Sequence, residues 1–153
     1  MSGIIVRPFV ETDAEGLASL FYAAVHIGAA DYYNEEQRNA WAPDVPEPGA
    51  WLKRLQSQFV LVAATAETHL GFMTLQPDGY IDLAFVAPDQ IGNGVAWRLY
   101  EDILAEARSL GIGRLYSHAS LAARPFFQRQ GWAVTNEQTV MIEDVALVNF
   151  VME

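Results

Sequence analysis

A glycine-containing turn between two apolar runs is the stretch whose residue types most directly suggest chemistry. It lies in FVAPDQIGNGVAWRLY, residues 85–100, where Gly92 and Gly94 precede an amphipathic run. Glycine permits backbone conformations closed to other residues, and the first amides of a helix lack intrahelical partners and favour an anion. The turn therefore suits a pyrophosphate, although its spacing alone leaves an ordinary turn and an anion site equally open.

Several other chemistries lack their motifs in this sequence. The third glycine of G-x-G-x-x-G would fall on Trp97, and no Gly-Lys-Ser/Thr of a P-loop follows the turn. There is no G-x-S-x-G and no H-E-x-x-H, and His26, His69 and His118 do not have metal-ligand spacing. Because the chain contains no cysteine, it has no thiolate for a metal site or a covalent relay. We expect no bound metal, and direct chemistry rather than a covalent thioester relay.

The elements that must position the turn follow from hydrophobic periodicity. Tyr80–Val86 and Leu115–Ala119 read as strands on either side of a helix that begins near Val95 and is closed by Gly111, so the two strands are predicted to be parallel. Earlier segments predict a strand at Ile4–Val6, a helix opened by a capping box and ending near Gly28, a helix from Asn34, and a helix through Trp51, Leu52 and Leu55. Antiparallel strands are predicted at Phe59–Ala64 and Leu70–Leu75, two further strands at Ala133–Val140 and Ala146–Met152, and a further helix from near Ser120 to Gly131.

Composition limits the class of protein. The 153 residues are 52% hydrophobic and 18% charged, which is typical of one globular domain, residues 1–153. No stretch has the length of a membrane span and no export signal is visible, so we expect a cytoplasmic protein without a membrane partner. The net charge of −10 has the wrong sign for binding nucleic acid. Sequence does not decide between a monomer and a homodimer.

The segment from Val86 to Ala96, VAPDQIGNGVA, resembles the acetyl-CoA motif of the GCN5-related N-acetyltransferases (GNAT), which is a valine and proline followed by Arg/Gln-x-x-Gly-x-Gly/Ala. Other landmarks follow in the same order as in that family: Arg7-Pro8, Asp13, Gly71-Phe72, and Ala123 to Gly131-Trp132. YIDLAFV and PFFQRQGW are similar to the YafP-like bacterial branch.

The resemblance implies an α/β (α+β) GNAT fold. Its central sheet is mixed and mostly antiparallel, with about seven strands and a parallel central pair splayed for CoA. It also implies an acetyl group carried from acetyl-CoA directly to a primary amine. The residues that it assigns to the cofactor are Phe85, Val86, Ile91, Gly92, Asn93, Gly94, Val95, Ala96, Ser120 and Phe127.

Two positions depart from the family pattern. Ile91 fills the Arg/Gln position of the motif, so the loop is expected to bind pyrophosphate through its amides alone. Phe127 fills the position where the family often has a tyrosine that protonates the leaving thiolate, and a phenyl ring cannot donate a proton. Losing a general acid typically costs about 10²- to 10⁴-fold, less when the leaving group is a good one.

The resemblance places the candidate catalytic groups on the two parallel strands. Asp82 is the leading candidate for a general base or a water-positioning group, with a backbone-bonded structural carboxylate as the alternative. Tyr80, at a position where some members have a catalytic glutamate, relays a proton or packs. His118 is a candidate for proton transfer, with a hydrogen-bonded structural histidine as the alternative. Ser120 contacts the cofactor or caps the following helix.

The acceptor side is expected around the second helix, where the family binds its acceptor. Tyr32, Tyr33 and Trp41 could form a pocket for a cation or an apolar acceptor, or could pack in the core, and His26 is a weaker candidate. Because Tyr80 and Phe127 alter two usual polar positions, a non-catalytic acyl-CoA sensor is the rival hypothesis.

Overall fold

A computed structural model describes residues 3–153. The helices are α1 (Ala14–Ala23, extended by a wider turn over Ala24–Gly28), α2 (Glu35–Trp41), α3 (Pro48–Gln56), α4 (Val95–Ser109) and α5 (Arg124–Arg129). The strands are β1 (Ile5–Pro8), β2 (Phe59–Ala64), β3 (His69–Leu75), β4 (Tyr80–Ile81), β5 (Ala84–Val86), β6 (Tyr116–Ser120), β7 (Val134–Ile142) and β8 (Val145–Met152). The order of elements agrees with the prediction, and their bounds shift by a few residues.

Local side chains fix where α2 begins. The Asn34 side chain accepts a hydrogen bond from the Gln37 amide at 2.8 Å, and the Gln37 side chain accepts one from the Asn34 amide at 2.9 Å. This reciprocal pair satisfies two amides that a helix start leaves without partners. The helix ends at Trp41, two residues before Pro43, because proline disfavours helical backbone in the residue that precedes it.

The predicted capping box at the start of α1 is wrong. Asp13 turns back to accept the Val10 amide at 2.9 Å across a short 3₁₀ turn, and its two oxygens also accept Arg7 at 2.8 Å each. His69 Nε2 lies 2.9 Å from Asp13 Oδ1. Asp13 therefore ties β1, α1 and β3 together.

Two four-stranded sheets lie side by side, in the orders β1-β2-β3-β5 and β4-β6-β8-β7. Every pairing is antiparallel except that of β4 with β6, where Tyr80 faces Tyr116 and Ile81 faces Ser117. The predicted parallel pair is confirmed. Beyond Ile81 the two strands separate, so the outer edge of β5 is unpaired along the gap.

The continuous strand predicted over Tyr80–Val86 is interrupted. Leu83 donates its amide to Thr74 Oγ1 at 2.9 Å, and its carbonyl accepts the Thr74 amide at 2.9 Å. These bonds divide the segment into β4 and β5, so the described chain has eight short strands where about seven were predicted. The break is where the chain passes from one sheet to the other.

Helices cover opposite faces of the first sheet. Leu99 and Ile103 of α4 pack in one cluster of buried residues, and Leu17 of α1 with Leu55 of α3 pack in another. A Cβ at Gly71 would lie 2.9 Å from the Phe85 carbonyl oxygen and 3.0 Å from Val95 Cγ1. Gly71 therefore lets β5 and the start of α4 approach β3 closely, which sets the position of the glycine turn.

Candidate active site

A cavity of about 540 Å³ opens between the two sheets, where β5 and β6 separate. Its wall includes Phe85 and Val86 of β5 and Ile91, Gly92 and Gly94 of the turn. Further lining residues are Val95, Ala96 and Trp97 of α4, Ser120, and Phe127 and Arg129 of α5. The gap thus brings together residues that the sequence assigned to the cofactor.

The turn has the backbone geometry that its glycines suggested. Gly92 has φ of +88° and Gly94 has φ of +81°, both in the left-handed region, and no atom lies within 4 Å of a Cβ built at either position. Glycine is therefore required at these positions by the backbone conformation, and not because a side chain would clash with neighbouring residues.

The turn and α4 offer free amides to an anion. The first helical bond of α4 runs from the Arg98 amide to the Gly94 carbonyl at 3.1 Å, so Val95, Ala96 and Trp97 precede it. The Asn93 amide donates to the Gln90 carbonyl at 3.1 Å, and Asn93 is absent from the described lining of the cavity. Ile91 lines the cavity but is 59% exposed.

A second cavity of about 430 Å³ adjoins the first and contains the predicted catalytic residues Tyr80, Asp82 and His118. The residues that border both cavities are Trp41, Ala84, Phe85, Ser120, Ala123 and Phe127. Only Ser120 and Trp41 among them have a side-chain hydrogen-bond donor. A group bound in one cavity can meet a group bound in the other at this junction.

Asp82 is held by an arginine that the sequence did not suggest. Arg54 of α3 donates from Nε and Nη2 to the two Asp82 oxygens at 2.9 Å each, and Gln58 donates to Oδ2 at 3.1 Å. Burial by itself would raise the pKa of Asp82, but these bonds and the Arg54 charge outweigh it and hold that pKa below the usual range. Such a carboxylate is a weak base, and it is suited to positioning and charge compensation.

Tyr80 and His118 lie next to Asp82 in the same cavity. Their rings pack edge to face with centroids 5.3 Å apart. The Tyr80 ring also packs against the Tyr116 ring, with centroids 5.1 Å apart. Burial, together with the Asp82 carboxylate, raises the pKa of Tyr80. Tyr80 is therefore a neutral hydroxyl, whereas His118 is exposed at the cavity wall.

The acceptor-side candidates divide into those that line a cavity and one that does not. Trp41 lines both cavities, Tyr33 lines the second and Tyr32 lines the first. The Tyr33 hydroxyl donates to the Val148 carbonyl at 2.7 Å and accepts the Leu121 amide at 2.9 Å, so it joins β8 to the start of the α5 region. His26 is not in the described lining of either cavity, and its Nε2 lies 2.7 Å from the Ala42 carbonyl oxygen.

Ser120 and Phe127 meet at the junction of the cavities. Ser120 Oγ accepts the Ala123 amide at 3.1 Å, which leaves its own hydrogen free to point at a ligand. Phe127 is 1% exposed and packs on Trp132 with centroids 4.5 Å apart. Ser120 closes the turn before α5 instead of capping that helix as predicted, because the N-cap residue is Ala123 and has no side-chain cap hydrogen bond.

Sequence reasoning missed two arginines at this site. Arg54 is 28 residues from Asp82 in sequence, and only its place in the last turn of an amphipathic helix distinguished it. Arg129 is the only charged side chain in the described wall of the first cavity, and it forms no ion pair with any carboxylate in residues 3–153. Its position within PFFQRQGW was the available signal.

Residues 3–153 contain neither a cluster of potential metal ligands nor a membrane-spanning helix. No group of three or more His, Cys, Asp or Glu side chains is arranged to hold a metal ion. Within the same residues, no helix combines the length and apolar character needed to cross a membrane.

Comparisons with known proteins agree with the geometry. The family model described as an acetyltransferase (GNAT) domain matches residues 29–153. The uncharacterized N-acetyltransferase YafP of Escherichia coli strain K12 is 30% identical over 152 residues, covering 99% of this chain and 96% of that protein. The chain therefore belongs to the GNAT family and is an N-acetyltransferase.

Solved structures show the same architecture. A GCN5-related N-acetyltransferase from Rhodopseudomonas palustris is 33% identical with a TM-score of 0.91, covering 99% of this chain and 95% of that one. The PaiA N-acetyltransferase from Thermoplasma acidophilum, solved in complex with coenzyme A, is 20% identical with a TM-score of 0.79 and covers 99% and 98% of the two chains. The predicted α/β GNAT fold is confirmed.

Proposed function

We propose that the chain, acting as one domain, transfers an acetyl group from acetyl-CoA directly to a primary amine. The observation that carries this proposal is the junction of the two cavities, which would let a thioester in one meet an amine in the other. Holding two reactants in contact converts a bimolecular step into a local one and supplies a large part of an enzymatic acceleration.

The first cavity fits acetyl-CoA in two respects. The unpaired edge of β5, at Phe85 and Val86, can bond the amides of the pantetheine arm, and the amides of Gly92, Gly94, Val95 and Ala96 are available to the pyrophosphate at the start of α4. When bound, acetyl-CoA supplies the acetyl thioester and the thiol leaving group. Complexes such as that of the Thermoplasma acidophilum enzyme with coenzyme A support this choice of donor.

The second cavity is the proposed acceptor site. Trp41 and Tyr33 form its wall together with Tyr80, and Asp82 in its pair with Arg54 positions the amine rather than removing its proton as a strong base. His118 is exposed at the wall and is the side chain best placed to receive a proton and pass it to water.

The leaving sulfur is proposed to meet Ser120 instead of a tyrosine. Phe127 has no donor, and Ser120 at the junction has a hydroxyl hydrogen that is not used by its bond to Ala123. If the CoA thiol has a pKa near the ordinary cysteine value of about 8.5, its thiolate leaves near neutral pH with little help. A hydrogen bond to the sulfur then suffices.

The test is thiol release from acetyl-CoA with a panel of amino acid amides, arylalkylamines, polyamines, aminoglycosides and peptides. We expect release with at least one amine, together with an acetylated product identified by mass spectrometry. If acetyl-CoA binds but no amine causes release, the rival interpretation of a non-catalytic acyl-CoA sensor replaces this proposal.

A further inference from the structure

The second cavity contains one carboxylate, and that carboxylate already has a cationic partner. Asp82 accepts two hydrogen bonds from Arg54, and the pair lies at the cavity wall. The titratable side chains that border this cavity are Tyr33, Arg54, Tyr80, Asp82 and His118. Burial raises the pKa of both tyrosines, so they carry no negative charge near neutral pH. The described residues around this cavity therefore present no unpaired negative charge to an ammonium group.

The rest of the wall is mainly aromatic and aliphatic. Phe21, Trp41 and Phe85 contribute rings, and Leu83 and Leu147 contribute aliphatic side chains. Transfer of an amine into such surroundings disfavours its protonated form, and the Arg54–Asp82 pair has no net negative charge to offset this effect. The surroundings therefore lower the pKa of an amine that enters, which helps it to bind as the neutral nucleophile.

A weakly basic amine suits these surroundings much better than a strongly basic one. At pH 7 roughly a tenth of an α-amino group with pKa near 8 is neutral, whereas less than about a thousandth of a lysine-like amine is neutral. A polyamine would in addition need several unpaired carboxylates, and the described cavity wall has none.

We propose that the acceptor is a weakly basic primary amine, such as an α-amino group, on an aromatic or apolar body, and that Arg54 enforces this choice. The inference rests on the proposed function. Arg54 acts as a specificity residue because its charge cancels that of Asp82, which would otherwise attract strongly basic amines.

The test compares amines that share a body and differ in basicity. Phenylalaninamide is paired with 2-phenylethylamine, leucinamide with isopentylamine, and spermidine represents the polyamines. The measured quantity is kcat/KM for thiol release at pH 7, and we expect the weakly basic member to be favoured in each pair and spermidine to be poor.

Three variants separate charge from other causes. Arg54→Gln leaves Asp82 uncompensated, so we expect the preference within each pair to fall by about fivefold or more, the effect of one nearby unit charge. Arg54→Lys keeps the charge and should retain the preference. Lys53 lies in the same turn of α3 but is exposed and lines neither cavity. Lys53→Gln should therefore also leave the preference unchanged.

The outcomes distinguish failure of this inference from failure of the proposed function. Turnover that favours spermidine or the strongly basic partners overturns the inference alone, as does a preference that Arg54→Gln does not change while acetyl-CoA affinity stays constant. Absence of thiol release with every amine overturns the proposed function and the inference with it.

Discussion

Two aspartates of this chain occupy different surroundings, one buried within the fold and one at a cavity wall. Asp13 is 4% exposed and lies within the fold, held by Arg7, the Val10 amide and His69. Asp82 faces a cavity and is held by Arg54 and Gln58. We therefore expect loss of Asp13 to affect stability and loss of Asp82 to affect turnover.

Asp82→Asn should lower kcat/KM for the acceptor at least about tenfold, because Arg54 would then present an uncompensated positive charge to the amine. The affinity for acetyl-CoA should stay within about twofold, since Asp82 does not line the first cavity. Steady-state kinetics and calorimetric titration with acetyl-CoA measure the two effects. Unchanged turnover with unchanged binding would remove Asp82 from the acceptor site.

Asp13→Asn should lower the free energy of unfolding by about 2–4 kcal/mol near neutral pH, because it breaks a buried, charge-assisted network. The Arg7 hydrogen bonds outweigh burial, so the pKa of Asp13 is well below its ordinary value in the folded state. Its contribution is therefore complete above the unfolded pKa of about 4 and is lost as the pH falls further.

Urea unfolding of the wild type and Asp13→Asn from pH 7 down to pH 3 tests this. The difference in the free energy of unfolding between the wild type and Asp13→Asn should narrow below about pH 4. Glu15→Gln, an exposed neutral-for-acid change in α1, is the matched control and should show no such gap. A gap that widens in acid would contradict the assignment.

Two elements meet at the anionic end of the proposed cofactor site, the turn before α4 and the helix α5. The turn offers backbone amides in a conformation that depends on glycine, and α5 offers Arg129. Ile91 fills the loop position where the family has a polar side chain, and Arg129 of α5 is the one charged side chain in the described wall of that cavity.

Gly94→Ala should weaken acetyl-CoA binding and destabilise the fold by about 1–2 kcal/mol, because alanine is strained at φ of +81°. Gly113→Ala is the matched control, since an added Cβ there also meets no atom within 4 Å and its φ is not left-handed. Chemical unfolding and calorimetric titration give the two quantities. Equal effects of the two variants would show that the φ of Gly94 is not what matters.

Arg129→Gln should weaken acetyl-CoA binding by about fivefold at low salt, the effect of one exposed charge on a phosphate, and the loss should shrink as salt rises. Binding of S-acetylpantetheine, which lacks the nucleotide phosphates, should not change. Arg108→Gln in the last turn of α4 lies outside both cavity walls and serves as control. If Arg129→Gln weakens the binding of acetyl-CoA and of S-acetylpantetheine equally, Arg129 acts through folding.

At the scale of the whole molecule, ligand binding should be visible as stability. The chain carries a net charge of −10 yet is proposed to bind an anionic donor, so affinity must come from the local amides and Arg129 rather than from the overall field. A ligand that binds only the folded state stabilises it by about 2.7 kcal/mol at 100 times its Kd.

For a domain of this size that stabilisation corresponds to a rise in Tm of roughly 5–10 °C. Thermal unfolding with millimolar CoA and acetyl-CoA measures it, with adenosine as the ligand that lacks the pantetheine arm and the phosphates. No shift with either thioester or thiol would refute binding of CoA to this chain.

The sequence by itself determined the family, the order of elements and the glycine turn, because each depends on residues that are close along the chain. The reciprocal bonds of Asn34 and Gln37, the start of α4 at Val95 and the positive φ angles of Gly92 and Gly94 all follow from such local patterns. The strand–helix–strand order around the turn then gave the parallel pair of strands.

Only the tertiary structure decided how the candidate site is charged and divided. Asp82 read as a base because its strand showed a polar face, but Arg54, 28 residues away, compensates it through a contact that no periodicity contains. Thr74 of β3 breaks the predicted strand by bonding Leu83, and Arg129 lines the first cavity from α5, far along the chain from the glycine turn. These contacts depend on which distant segments the core brings together, and that information lies in packing rather than in local spacing.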